Sequence, residues 1–392
     1  MTKAFTLPLT ATFLFSCGTQ KYSPDRIEPS FIQVTIDGEL GSEEAPLDFT
    51  SEAITRTIQI QTLDYNSDPY PMNGDLKLHI RPGKVASGEI VNGETFDPYI
   101  TIENGQWTGE VPFKNAFGPT RIWVSDEGDK DIESERAASF ATGLSDTIHF
   151  ELPTITDFNK IDDTETNHLD REFTEVQTEG RDVRVTVVGT SGFWVTDYAE
   201  QGSVNCMTNE SCYNSLFVYT FQKPQGVRPG YRLLLLTGGN QEYLGTTQLS
   251  FPDYLYEEGT MTVTPAELTE TELCDDATME GLESAVVRIN NATIPATFTS
   301  SSEDYADYLE YGQWPIDVGS CQGRIFVDSS ALSYVFNPSD SAGAPISVQG
   351  LVTQIWRKWV VVLYDDNGLS GVTPTSIASG SEGPRRPTPR SQ

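Results

Sequence analysis

Short runs of alternating apolar and polar residues, interrupted at intervals of about ten residues by Gly, Asn or Pro, restrict this chain more than any other feature. Period-two alternation places one face of a strand in a core and the other in water, whereas sustained 3.6-residue patterns are nearly absent. Phe31-Ile32-Gln33-Val34-Thr35-Ile36 opens the series, and 57–61, 76–81, 99–102, 107–111, 120–125 and 147–152 continue it. Asn-Gly pairs fall at 73–74, 92–93 and 104–105, and Ile102-Glu103-Asn104-Gly105-Gln106-Trp107 is the strongest hairpin signal. The chain therefore reads as all-β, with an antiparallel sandwich over 30–152.

Gly118-Pro119-Thr120-Arg121-Ile122-Trp123-Val124 resembles a late strand of the immunoglobulin-like domains of bacterial surface proteins. The resemblance implies an N-terminal immunoglobulin-like β-sandwich. From Asp126 to Glu179 the chain carries sixteen Asp or Glu against four Lys or Arg, and 153–180 reads as an acidic linker. Carboxylates alternate over 126–131 in a way that suits a hard cation, but the order of an EF-hand loop is missing, so a solvated loop is expected. Asp365-Asp366-Asn367-Gly368 is read as a turn.

The second half carries a sharper pattern. Val183 to Val188 alternates as a strand; Gly192-Phe193-Trp194-Val195-Thr196-Asp197, Phe217-Val218-Tyr219-Thr220, Val227 with Gly230, and Gly238 with Gln241-Glu242-Tyr243-Leu244-Gly245-Thr246-Thr247-Gln248-Leu249 follow in order. This series resembles the OB-fold domain that accompanies secreted bacterial endonucleases and exonucleases. Tyr231 departs from that family, which usually has an acidic residue after the turn glycine. Leu282 to Ile294 is similar to the strand that follows in the same family, with 323–327, 346–353 and 356–364 as further strands. The resemblance implies a C-terminal OB-type β-barrel over 181–375, either one elaborated barrel or one with a partial repeat. Residues 376–392 read as a disordered tail with Arg385, Arg386 and Arg390.

Charge limits the partners. The formal charge is −32, and 181–375 holds nine basic against twenty-four acidic residues. OB-folds that grip single strands combine aromatic platforms with a basic groove. Phe193, Trp194, Phe217, Tyr219 and Tyr243 supply only the aromatic half, and alternating aromatics on a closed barrel are expected in its core, so nucleic acid is disfavoured. Trp356, Arg357, Lys358 and Trp359 set two cations between two aromatics, and they form the candidate ligand contact. An acidic surface also serves solubility in salty water.

Lys3 precedes an apolar segment, 4–15, too short to span a bilayer, which ends in Leu14-Phe15-Ser16-Cys17-Gly18. That ending resembles the lipobox of bacterial lipoproteins, and it implies cleavage of 1–17 with lipid on Cys17. An ordinary secretory signal is the alternative. Residues 18–29 then form a polar tether. The membrane is thus an expected partner through the lipid, and the cell envelope, specifically the outer membrane of a Gram-negative bacterium, is the expected location. Export favours pairing of the remaining cysteines. Proximity suggests Cys206 with Cys212 and Cys274 with Cys321, while the spacings match no zinc pattern and His79, His149 and His168 all lie upstream.

No serine elbow, metalloprotease helix or phosphate loop is present, and carboxylate pairs in so acidic a chain carry no information. No catalytic residue, metal or cofactor is implied. The expected function is non-catalytic: an envelope lipoprotein acting as a binding or structural module for an envelope protein or polysaccharide. An accessory subunit of an extracellular nuclease or other hydrolase, and a carbohydrate-binding surface protein, are the alternatives.

Overall fold

The computed structural model describes residues 31–49, 51–126, 142–160, 167–200 and 213–372. Cys17, Cys206, Cys212, the tether, almost all of the acidic loop after Asp126 and the tail lie outside the described residues. The chain is mostly β and divides into two units, one holding 52–149 with the preceding N-terminal strand, the other holding 46–51 and everything from Phe150.

In the first unit seven main strands, β1 (Phe31–Ile36), β2 (Ile54–Leu63), β3 (Gly74–Arg81), β4 (Tyr99–Ile102), β5 (Gln106–Lys114), β6 (Gly118–Asp126) and β7 (Thr142–Leu144), pair in the order β5-β2-β1-β7-β6-β3-β4. Alternation buries one face of each long strand: Ile58 and Ile60 in β2, Leu76, Leu78 and Ile80 in β3, Val111 and Phe113 in β5, Ile122 and Val124 in β6. A single ribbon buries one face throughout only by folding over itself. The layers β5-β2-β1 and β7-β6-β3-β4 therefore make the expected sandwich, joined where β1 runs parallel to β7. Gly143 permits that approach, because a Cβ there would meet the Ile32 carbonyl oxygen at 2.4 Å.

The Asn104-Gly105 turn forms, with φ of 51° and 77°, as a primed hairpin turn requires. Its flanks part after the single bridge Glu103↔Gln106, and β4 pairs with β3 while β5 pairs with β2. The strongest hairpin signal is thus a corner between sheets.

The second unit corrects two boundaries. Residues 153–180 are no linker: α1 (Ile155–Asn159) and β8 (Phe173–Glu175) belong to this unit, β8 pairs with the long strand at 232–243, and Ile155, Phe158, Leu169 and Val176 are fully buried. Acidic neighbours hide those four apolar anchors in the sequence. Residues 181–375 hold two complete barrels in tandem instead of one with a partial repeat.

The first barrel comprises β9 (Val183–Val188), β10 (Gly192–Asp197), β11 (Ser215–Tyr219), β12 (Arg232–Tyr243) and β13 (Thr246–Glu257). It closes in the order β9-β10-β11-β13-β12-β9, all antiparallel except β11 with β13. After α2 (Glu270–Leu273) and α3 (Asp276–Gly281), the second barrel repeats the scheme with β14 (Val286–Thr293), β15 (Gln313–Val318), β16 (Cys321–Asp328), β17 (Pro345–Ile355) and β18 (Lys358–Val362), α4 (Tyr305–Tyr311) lying between β14 and β15. Its order is β14-β15-β16-β18-β17-β14, again with one parallel pair, β16 with β18. Five strands in the cyclic order 1-2-3-5-4 make both barrels OB-type. Val183, Val185, Phe193, Val195, Leu216, Val218 and Leu249 fill the first, and Val287, Ile289, Trp314, Ile316, Val327 and Val361 the second.

Cys274, which ends α2, and Cys321, which begins β16, touch as thiols, and burial together with the neighbouring sulfur pushes Cys321 up to about 12. Glu270 holds the same junction by accepting the Ser320 amide at 2.8 Å, and Arg324 reaches the Cys274 carbonyl at 2.9 Å. Oxidation there would close a loop of nearly fifty residues and stabilise the fold by about 4 kcal/mol on the chain-entropy model. Peptide mapping of protein prepared under oxidising conditions, without reductant, is expected to recover Cys274 linked to Cys321. Two alkylatable thiols at these positions would contradict this.

Candidate functional site

On β10 and β11 the inward residues Phe193, Val195, Leu216 and Val218 leave Trp194, Phe217 and Tyr219 on the outer face. Trp194 and Phe217 are direct cross-strand partners and stack at 4.5 Å and 27°. Gly192 makes room for the Phe217 ring, since a Cβ there would meet it at 2.7 Å. The series continues through Tyr219 (6.1 Å from Phe217), Phe221 (4.5 Å further) and Phe251 (4.9 Å further). From Phe217 outward exposure rises along it. Trp194 packs against Val187, Val286 and Leu351 at the junction of the barrels, Phe217 is 6 % exposed, Phe221 54 % and Phe251 71 %.

The last two residues are unusual in backbone as well as exposure. Phe221 has φ of 63° and Phe251 of 52°, a region that costs a bulky side chain about 1–2 kcal/mol. Phe251 occupies a bulge where the pairing of β12 with β13 slips between Thr237 and Gly239. Gly238 faces the bulge, and a Cβ on it would strike Leu249 at 2.6 Å. Pro252, which cannot donate to a ladder, follows directly. Two aromatics are thus held away from the barrel in strained backbone with their rings in contact.

Beside Phe251 lies an open cleft of about 280 Å³ lined by Asp170, Arg171, Gly239, Asn240, Gln241, Glu242 and Ser250. Arg171 is paired with Asp170 at 3.4 Å. Asn240 is 2 % exposed; its Nδ2 donates to Asn167 Oδ1 at 2.7 Å, and its Oδ1 has no partner among the described residues. Gln241 Oε1 accepts from Ser250 Oγ at 3.3 Å. Glu242 accepts the Thr247 hydroxyl at 2.9 Å; burial raises its carboxyl above the ordinary range against that hydrogen bond, and Asp170 adds to the rise.

Thr247 also connects the cleft to the junction of the barrels. Its amide donates to Glu283 Oε2 at 2.9 Å, while Thr246 Oγ1 meets Thr353 Oγ1 at 2.7 Å and the Gln354 carbonyl at 3.1 Å. Glu283 is wholly buried, its Oε1 has no partner among the described residues, and desolvation raises its carboxyl well above the usual value of 4.5.

The sequence-derived contact cluster is divided by the structure. Trp356, 72 % exposed, and Arg357 form the tip of the β17–β18 hairpin with φ of 52° and 64°. Lys358 is engaged by Asp307 at 2.8 Å and lies over the Phe326 ring. Trp359 points into the second core, with Nε1 3.3 Å from Asp276. Successive strand residues face opposite sides, so the four do not share a surface. Of the five aromatics expected in the barrel core, Phe193 is in the interior and Tyr243 is exposed at the end of β12. Phe221 and Phe251 were not singled out by the sequence; a Phe-Pro step inside a strand pattern is the available hint at the second.

The basic residues near the first barrel's opening strands are occupied: Arg181 pairs with buried Asp197 at 2.6 Å, and Arg184 with Asp182 at 2.8 Å. Among the described residues no group of three or more His, Cys, Asp or Glu is placed to hold a metal ion, and no helix is long and apolar enough to cross a membrane. No family model and no curated relative matches the chain. A solved structure, the sporulation control protein Spo0M from Bacillus subtilis, is 10 % identical over 59 % of this chain and 91 % of its own, with a TM-score of 0.18, too low to support an argument.

Glycine tolerates positive φ, so Phe221→Gly and Phe251→Gly should each change stability by less than about 1 kcal/mol, relief of strain offsetting the lost ring contact. Phe217→Ala, by contrast, should cost about 3 kcal/mol. Thermal unfolding of the three variants checks the contrast.

Because the folded-state pKa of Glu283 is raised, the folded protein keeps a proton that the unfolded chain releases above about 4.5. This penalty is absent at lower pH and grows, by at most about 1.4 kcal/mol per unit, as pH rises toward the folded value. Glu283→Gln keeps an acceptor for the Thr247 amide and should gain stability over wild type progressively from pH 5 to pH 8. A constant difference across that range would count against the assignment.

Proposed function

We propose that this protein is a non-catalytic binding module of the cell envelope, lipid-anchored through Cys17, whose ligand surface is the outer end of the aromatic series on the first barrel. The observation that carries the reading is the backbone of Phe221 and Phe251, two exposed rings held in contact in a strained conformation that their own side chains disfavour. Strain of this kind persists where the surrounding fold over-determines it, and it gathers at binding sites. Rings already fixed lose little freedom when a ligand lies on them, which leaves more of the burial energy as affinity. Location supports the same reading: the lipobox-like segment and tether display the folded units at an envelope, in the reading the outer membrane of a Gram-negative cell, where surface partners are protein or polysaccharide.

Two measurements test it together. Cys17→Ala should move the protein from the membrane to the soluble fraction. The released protein should sediment with isolated envelope fragments, and Phe221→Gly/Phe251→Gly, with its fold intact, should lose that sedimentation at least tenfold, equivalent to about 1.4 kcal/mol or more. Membrane retention of Cys17→Ala would refute the anchor, and undiminished sedimentation of the double variant would refute the surface.

A further inference from the structure

Resting on that surface, we infer that its ligand is a neutral, hydroxyl-rich polysaccharide, with one sugar ring stacked on Phe251 against the edge offered by Phe221 and neighbouring hydroxyls directed to the cleft beside them. A pyranose has an apolar face of C–H bonds and a rim of hydroxyls that both donate and accept. It therefore fits a surface that joins flat apolar rings to a row of acceptors.

The rings are the exposed pair at 4.9 Å, inclined at 53°, so a sugar stacked on one meets the other at an angle. The acceptors follow directly: Oε1 of exposed Gln241 and the carboxyls of Asp170 and Glu242.

Charge separates this ligand from the other polymers that stack on aromatics. A nucleic acid would bring its bases to the same rings, but its phosphates would meet Asp170 and Glu242, two carboxyls against Arg171, the single cation lining the cleft. Phosphate binding needs cations that release counterions, and an acidic polysaccharide meets the same repulsion. Hydroxyl donors suit the row of oxygens and add no charge.

The experiment is competition. Wild-type protein is bound to envelope fragments as above and challenged with hydroxyethylcellulose, laminarin, xylan, dextran or a twenty-residue oligothymidylate. Displacement by one or more of the neutral polysaccharides is expected, as is its retardation of the native protein in an affinity gel. Phe251→Gly and Gln241→Ala, both changes at exposed positions, should weaken that retardation about tenfold. Failure of all four polysaccharides, or displacement by the oligothymidylate in their place, overturns the ligand class. Either result leaves the ligand surface standing when the sedimentation depends on Phe221 and Phe251, and loss of that dependence removes the surface itself.

Discussion

Closure by one parallel strand pair is the constraint on which both barrels depend. A five-stranded antiparallel meander has two free edges, each a row of unpaired amides and carbonyls. Here the third strand finds the fifth, β11 beside β13 and β16 beside β18, and the fourth returns to the first. The interior then fills with aliphatic and aromatic side chains. In the first barrel the register also sets the site. Phe217 lies opposite Gln248 and Tyr219 opposite Ser250, so the outer rings of β11 lead to the bulge that lifts Phe251. The aromatic series and the cleft are neighbours because the barrel closes in that register.

How much of this was legible in sequence follows from the range of the forces involved. Alternation is local, and it marked Val183 to Val188 and Gly192 to Asp197 at the residues where strands β9 and β10 run. Sheet membership is not local. Asn104-Gly105 announced its turn, but nothing within ten residues tells Tyr99–Ile102 to leave for β3 while Gln106–Lys114 joins β2. The second barrel was obscured because β14 and β15 are separated by polar chain and α4. Acidic residues around Ile155, Phe158, Leu169 and Val176 lowered the average hydropathy of a segment whose individual apolar side chains are wholly buried.

The site was hardest to read, for a different reason. A left-handed backbone angle at phenylalanine is imposed by the surroundings against the residue's preference, so composition and pattern contain no sign of it at Phe221. Adjacency misled in the opposite direction at Trp356 to Trp359, where neighbours in sequence alternate between solvent and core. Trp194 illustrates a third case. It is neither core of its own barrel nor free platform, because the second barrel covers it. Tandem barrels thus convert part of one aromatic surface into an interface and leave the remainder exposed. The carboxyl of Glu283, buried against Thr247 at that interface, couples its fit to proton concentration.

The parallel contact between β1 and β7 would have a mechanical meaning under the proposed N-terminal anchor. Parallel neighbours present opposite ends to a pulling force: tension on the start of β1, resisted beyond the end of β7, slides Ile32 and Gln33 lengthwise past Gly143 and Leu144. Their hydrogen bonds lie across the direction of pull and are loaded in shear together, whereas a hairpin pulled at its open end unzips one bond at a time. Gly143, against the Ile32 carbonyl, keeps that contact close. Under the proposed anchor, the first unit would be loaded in shear at β1 and β7 before it could open.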